Sequence, residues 1–236
     1  MAHQDGRCAT DGETIYVQMS SACSNSSGGT STTPFCGMDP ALTAAGATRD
    51  LILVRGTVVN GTTSGFNCGT RQISIVGQMS ATVSGVPAIH VASGDLYVRA
   101  AKLSTGASIG CQADAGSILR LDHVLVTGNS AGGILLNGAA FDIENTTVTT
   151  NGPGTDSTGA TWGGIRIVSP PLSGPKMLNL VTVQNNNQVG VSCSASASVS
   201  GMGVLASGNA GGVDITTANC GFSSCALASV TCGAQP

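Results

Sequence analysis

A short apolar motif returns along this chain every 20 to 31 residues, and that recurrence restricts the fold more than any other property. Gly132-Gly133-Ile134, Gly163-Gly164-Ile165, Val189-Gly190-Val191 and Gly211-Gly212-Val213 each open a strand, and Ile89-His90-Val91 and Ile109-Gly110-Cys111 occupy the same slot. A second strand follows, from Leu121 to Asn129, Ile143 to Asn151, Leu178 to Asn186 and, more weakly, Gly201 to Asn209. Within it Val124, Thr146, Val181 and Val204 share one column, and Val126, Val148, Val183 and Ala206 share another two residues on. That spacing puts both columns on one face of a strand, here the inner face. Asn129, Asn151, Asn186 and Asn209 close the units at one turn, where asparagine tolerates left-handed backbone and can bond a stacked neighbour. A unit of about 22 residues cannot bury its own apolar face, so copies must stack into a solenoid. The expected inner column after the glycines is Ile134, Ile165, Val191 and Val213.

Composition narrows the function classes. Charged residues are 9% and aromatics 3% of 236 residues, with 34 glycines, which excludes a coiled coil or helical bundle. A net charge of -3 with no Lys/Arg cluster excludes a basic nucleic-acid binder. No apolar run approaches the ~20 residues that cross a bilayer, so no membrane span is expected. The nine cysteines contain no CxxC pair, and His3, His90 and His123 are not spaced as zinc partners. The pattern reads as an oxidised, exported protein, extracellular or at the cell surface, whose odd cysteine count leaves at least one thiol free or paired between chains. The Met-Ala-His opening reads as a mature chain with a non-native start.

The repeat resembles the right-handed parallel β-helix of the pectin-lyase-like superfamily over roughly residues 50 to 232, through its Gly-Gly-Ile strand, its VxVxxN strand and its asparagine turn. The resemblance implies an all-β solenoid of about eight coils and about 40 Å in length. Residues 1–49, with Ile15-Tyr16-Val17, Gly29-Thr30, Pro34-Phe35 and a helical turn near Asp39 to Ala45, look like the N-terminal strand, Gly/Ser loop and capping segment of exported bacterial β-helix proteins. Residues 50–236 then form the β-helix as one unit. That superfamily holds lyases, hydrolases, epimerases, adhesins and inert stalks, so the fold does not select an activity.

Stacking makes outward side chains of one column neighbours, ~4.8 Å apart. One such column is Arg99, Asp122, Glu144 and Asn179, and two residues earlier runs Tyr97, Arg120, Asp142 and Met177. In polysaccharide lyases of this fold, acidic residues on such a face bind calcium and an arginine is the base. The resemblance therefore makes Asp122 and Glu144 calcium candidates and Arg99, Arg120 and Asp142 catalytic candidates, with Tyr97 in reach of a ligand. The plainer reading is a ladder of cross-strand salt bridges. Two insertions flank the patch, Asn151 to Trp162 and Ser169 to Lys176; Trp162, the single tryptophan, is either a sugar platform or a loop cap, and Asp156 is read as a turn residue.

His90, in a column with Arg166, Ser192 and Asp214, and His123 at a bend are read as surface histidines. Cys111 and Cys193 are expected as buried small hydrophobes in the column of Leu136, Ile167 and Ile215. Disulfides are expected at the rod ends, joining Cys23 to Cys36 and pairing two of Cys220, Cys225 and Cys232. The outward column Leu125, Thr147, Thr182, Leu205 lacks the regular threonine array of an ice-binding face. The function expected from these features is a non-catalytic exported β-helical surface, adhesion or carbohydrate-binding module, with a polysaccharide or cell-surface glycan as partner and no required cofactor. The alternative is a lyase- or hydrolase-like enzyme using the charged patch, with calcium.

Overall fold

The computed structural model describes residues 6–222 except 47, 62, 64, 195, 196, 211–213 and 217–219. The chain winds into a parallel β-solenoid of about seven turns, against eight expected from the repeat. Each full turn visits three faces in the order A, B, C. Face A stacks Cys111–Asp114, Ile134–Asn137, Ile165–Val168 and Val191–Cys193. Face B stacks Thr14–Gln18 on Leu51–Asn60 and, further along, Ser117–Asp122, Ala140–Glu144 and Lys176–Asn179. Face C stacks Lys102–Leu103, Leu125–Thr127, Thr147–Thr149, Thr182–Gln184 and Leu205–Ser207. The long strand Phe66–Gly85 runs through two corners and contributes to all three faces, while Leu51–Asn60 and Ile89–Arg99 contribute to two each.

Alternation explains the core. On face B the column Ile52, Ile75, Val98, Leu121, Ile143, Leu178 is buried, and on face C the column Val58, Val83, Leu103, Val126, Val148, Val183 is buried. Face A carries Ile89, Cys111, Ile134, Ile165 and Val191, with Ile215 bridged to Val191. Ile109 and Val213 were the expected members, and the register differs from that by two residues. Close packing is the reason: the glycine just before Cys111, Ile134, Ile165 and Val191 lies against the next coil's backbone. A Cβ on Gly133 would come within 2.6 Å of the Gly164 carbonyl oxygen, and one on Gly164 within 2.2 Å of Gly190's. Gly110 fills this place before Cys111, which moves Cys111 to the Ile134 row. Val213 lies outside the described residues.

The asparagine turn forms a continuous buried ladder. Asn129, Asn151 and Asn186 each donate both the backbone N–H and a side-chain N–H to the Oδ1 of the next asparagine, at 2.8 to 3.2 Å. The other Nδ2 hydrogen goes inward along the rod to a carbonyl: Leu103 for Asn129, Val126 for Asn151 and Val148 for Asn186. The side-chain amides of Asn151 and Asn186 thus fill both donors and both acceptor positions. Thr105 N–H closes one end on Asn129 Oδ1, and Asp214 Oδ1 accepts from Asn209 at the other. The corner between faces B and C turns on one left-handed residue: Ala100 (φ 54), His123 (φ 53), Asn145 (φ 46) or Leu180 (φ 51). Left-handed backbone at a non-glycine residue costs about 1–2 kcal/mol, offset here by inter-coil bonds such as Ala100 N–H to Asp122 O.

At the N-terminal end, Thr14–Gln18 pairs with Leu51–Asn60 in register, and Ile15, Val17, Phe35 and Met38 share the rod's core cluster. Its other edge bonds to Gly29 and Phe35, which leaves little of that strand open to pairing. The helix Met38–Ala44 buries Met38 and Ala41. Cys23 is bonded to Cys36. Cys220 is bonded to Cys193, not to Cys225 or Cys232, which lie outside the described residues. Cys193 sits on the inner row of face A, within reach of the following coil; it is a disulfide cysteine, not an inert buried thiol. Cys111 is a buried thiol, pushed upward in pKa by burial.

Replacing Asn151 with Ala removes the acceptor of two Asn129 N–H groups and the side-chain donors to Val126 O and Asn186 Oδ1, so urea unfolding should lose about 3 kcal/mol or more. A loss under 1 kcal/mol would mean that the ladder is incidental to stability. Nine cysteines less four in two disulfides leaves at most five thiols, which titration of the unfolded, unreduced chain should return as an upper limit.

Candidate functional site

The two outward charged columns on face B stand in the expected register. Arg99 is opposite Asp122, then Glu144, then Asn179; Tyr97 is opposite Arg120, then Asp142, then Met177. Strand alternation aims all of them away from the core. Asp95 joins them, because Arg120 Nε reaches its carboxylate at 3.0 Å while NH1 reaches Asp142 Oδ2 at 3.4 Å. Asp95 lies one alternation before Tyr97, but its own column continues with Ile118 and Ala140, so no charged column marked it in the sequence.

Asp122 is the hub. Arg99 Nε lies 3.2 Å from Oδ2, and the Tyr97 hydroxyl donates to the same oxygen at 3.2 Å. Asn145 Nδ2 donates to Oδ1 at 3.1 Å, and the His123 ring nitrogen Nδ1 also contacts Oδ1. Burial alone would raise the Asp122 pKa; the bonds from Asn145, His123 and Tyr97 outweigh it and hold the carboxyl below its ordinary value. Burial, with Asp122's charge beside it, pushes the Tyr97 hydroxyl up to about 12. Asp142 is raised, by burial first and then by Glu144, against the pull of Arg120, and its Oδ1 is buried without a partner among the described residues. Glu144 accepts from Asn179 Nδ2 at 3.3 Å.

This donor set does not fit calcium. The ion takes six to eight oxygen ligands, whereas both Asp122 oxygens face N–H or O–H donors and an arginine. Among the described residues no group of three or more His, Cys, Asp or Glu converges as a metal site.

Trp162 stands apart from the patch and is no sugar platform, because it is 0% exposed. The insertion folds as an antiparallel hairpin of Gly154–Thr155 with Thr161–Trp162. Its indole lies on Gly132, where a Cβ would come within 2.3 Å of the ring. Asp156, also buried, accepts from Thr158 and Ala160 within the hairpin and from Arg166 Nε at 2.7 Å on face A. The hairpin thus covers the outside of Ile165–Val168, all four of whose residues are buried, and it is fastened to face A rather than to the charged columns. His90 is likewise buried, not a surface histidine: Nε2 lies 2.7 Å from Asp114 Oδ2, and Nδ1 accepts from Gly65 N–H at 2.8 Å. His123 is exposed at its corner, as expected.

Comparison with protein-family models, with curated proteins and with solved structures gives no match.

Two measurements test this geometry. Trp162 fluorescence in the folded protein should resist iodide quenching and become quenchable on unfolding; ready quenching in the folded state would contradict the burial. The two aspartates should respond oppositely to pH. Asp122's lowered pKa makes its stabilisation complete above pH ~4 and lost on acidification. Asp122→Asn should therefore lower stability by about 1 kcal/mol at pH 7, the deficit shrinking below pH ~4. Asp142's raised pKa reverses the sign, so Asp142→Asn should raise the melting temperature at pH 7, and that advantage should vanish in acid.

Proposed function

We propose that this chain is an exported, non-catalytic surface module: a right-handed β-helix of pectin-lyase-like type that presents its sides to polysaccharide. The observation that carries the reading is the mutual engagement of the face B charges. Both arginines of the patch are ion-paired within it, and Asp122 faces donors on each oxygen. Groups locked in this way hold coils in register but hold no base or nucleophile ready for substrate. The right-handed sense follows from the strong bias of parallel strands joined by crossovers. Export agrees with two disulfides, which persist in oxidising compartments.

One feature favours the enzymatic alternative. Asp142 combines a raised pKa with an unpartnered buried oxygen beside Arg120, and carboxyls of that kind serve as general acids. The readings separate in one experiment. The module should bind polysaccharide on an array without releasing unsaturated or shortened products, and millimolar calcium should leave its melting temperature unchanged. Product release abolished by Asp142→Asn, or a calcium-dependent rise in melting temperature lost in an Asp122→Asn, Glu144→Gln double variant, would put the enzyme first.

A further inference from the structure

One imidazole nitrogen on the strand Ile89–Arg99 meets two backbone groups and can serve only one at a time. His90 Nδ1 lies 2.8 Å from the Gly65 backbone nitrogen and 2.9 Å from the Thr63 carbonyl oxygen. Neither backbone group has another hydrogen-bond partner among the described residues. A ring nitrogen carries either a lone pair, which accepts from Gly65 N–H, or a hydrogen, which donates to Thr63 O. The far side of the ring decides between them. Nε2 lies 2.7 Å from Asp114 Oδ2, and a carboxylate there takes an N–H. In the neutral ring the single hydrogen therefore sits on Nε2, and Nδ1 accepts from Gly65. A second proton has one place to go, Nδ1, and it turns the acceptor for Gly65 into a donor for Thr63.

The surroundings permit that step. His90 is buried, and half-buried Asp114 places a counter-charge against the ring. Gln112 Nε2 holds the other Asp114 oxygen at 3.0 Å, which keeps the carboxylate turned toward the imidazole. Among the described residues Asp114 is the charged or titratable group that faces His90. Gly61, Thr63, Gly65 and Phe66 bring none, Cys68 and Cys111 belong to the core, and Asp95 on the same strand is engaged by Arg120 on face B. Thr63 and Gly65 lie between two fixed points: Gly61, whose N–H donates to Asp39 Oδ2 at 2.9 Å, and Phe66, paired with Val91. Gly65 fits flat on the ring, where a Cβ would come within 2.7 Å of His90 Cδ2 and 2.9 Å of the Ala92 nitrogen. We infer that His90 is a pH-operated latch. Neutral, it holds Gly65 against face A; protonated, it binds Thr63 and releases Gly65, which uncovers the imidazole and the backbone at Ala92. The proton comes from water, and Asp114 meets its charge. The latch depends on no ligand of the rod.

The test is nitrogen-15 NMR of the intact chain from pH ~8 to ~5, the span in which histidine ordinarily changes charge. Ring nitrogen shifts report which nitrogen bears hydrogen. Exchange of the Gly65 amide, corrected for the intrinsic rate, reports its bond. At the alkaline end the expected result is hydrogen on Nε2, a bare Nδ1 and a protected Gly65. As the ring titrates, Gly65 protection should fall by about tenfold or more with the same midpoint. The Ile134 amide, bonded to Gly164 O, should stay protected throughout. His90→Asn puts a non-titrating acceptor near the place of Nδ1 and should make Gly65 protection independent of pH in this range. Asp114→Asn removes the counter-charge and should move the midpoint to lower pH, and it serves where His90→Asn does not fold. Hydrogen on Nδ1 at the alkaline end would overturn the latch, as would Gly65 protection that ignores the ring titration. So would loss of protection at Gly65 and Ile134 together, which is unfolding of the rod and not release of one contact. A midpoint unmoved or raised in Asp114→Asn would overturn the part assigned to Asp114.

Discussion

The asparagine ladder is the interaction on which the rest of this rod depends. A parallel solenoid needs its coils to repeat at one spacing and in one register, and apolar packing alone tolerates slippage. A column of amides does not. Each asparagine must meet the next at hydrogen-bond distance, and a shift of one residue would leave buried N–H and C=O groups without partners, at about 1–3 kcal/mol each. The ladder ends at Asp214, whose Oδ1 accepts from Asn209 as another asparagine would, but which has no side-chain amide to pass the pattern on.

With the register held there, the remaining faces follow. The glycine before Cys111, Ile134, Ile165 and Val191 on face A is demanded by the closeness of the next coil: Gly164 has backbone where a Cβ would be. The left-handed corner residues, though unfavourable singly, repeat because each one's neighbours are already bonded across coils. Insertion is then tolerated only where it leaves the ladder intact. The hairpin of residues 154–162 begins just after Asn151 and is accommodated by folding outward over face A, with Trp162 and the Asp156–Arg166 pair holding it down.

The same register sets the electrostatics of face B. Arg99, Asp122 and Glu144 are neighbours because their strands are held one spacing apart, so their charges offset one another instead of projecting independently into water. The opposite pKa directions of Asp122 and Asp142 come from what opposes burial: at Asp122 the bonds from Asn145, His123 and Tyr97 outweigh it, whereas at Asp142 burial together with the charge of Glu144 outweighs the pull of Arg120. Face C, by contrast, has almost no charge to balance.

The repeat itself is sufficient to establish a parallel solenoid, its inward valine columns and the stacking of Arg99, Asp122 and Glu144 in one column, because strand alternation and a regular repeat translate directly into which residues stack. The column of asparagines was equally visible as a turn marker, though not as a continuous hydrogen-bonded chain. Tertiary structure decided what depends on lateral approach. The insertion's direction made Trp162 a buried anchor, and the loop over His90 made it a buried partner of Asp114. Stacking chemistry at Gly110 moved Cys111 by two positions, and proximity between successive coils joined Cys193 to Cys220. None of these could be read along the chain, because each depends on which side chains approach laterally once the coils are stacked, and the repeat alone does not set that approach. Periodic features are legible since every coil repeats the same physical problem; single solutions to local crowding become visible only once the coils are stacked.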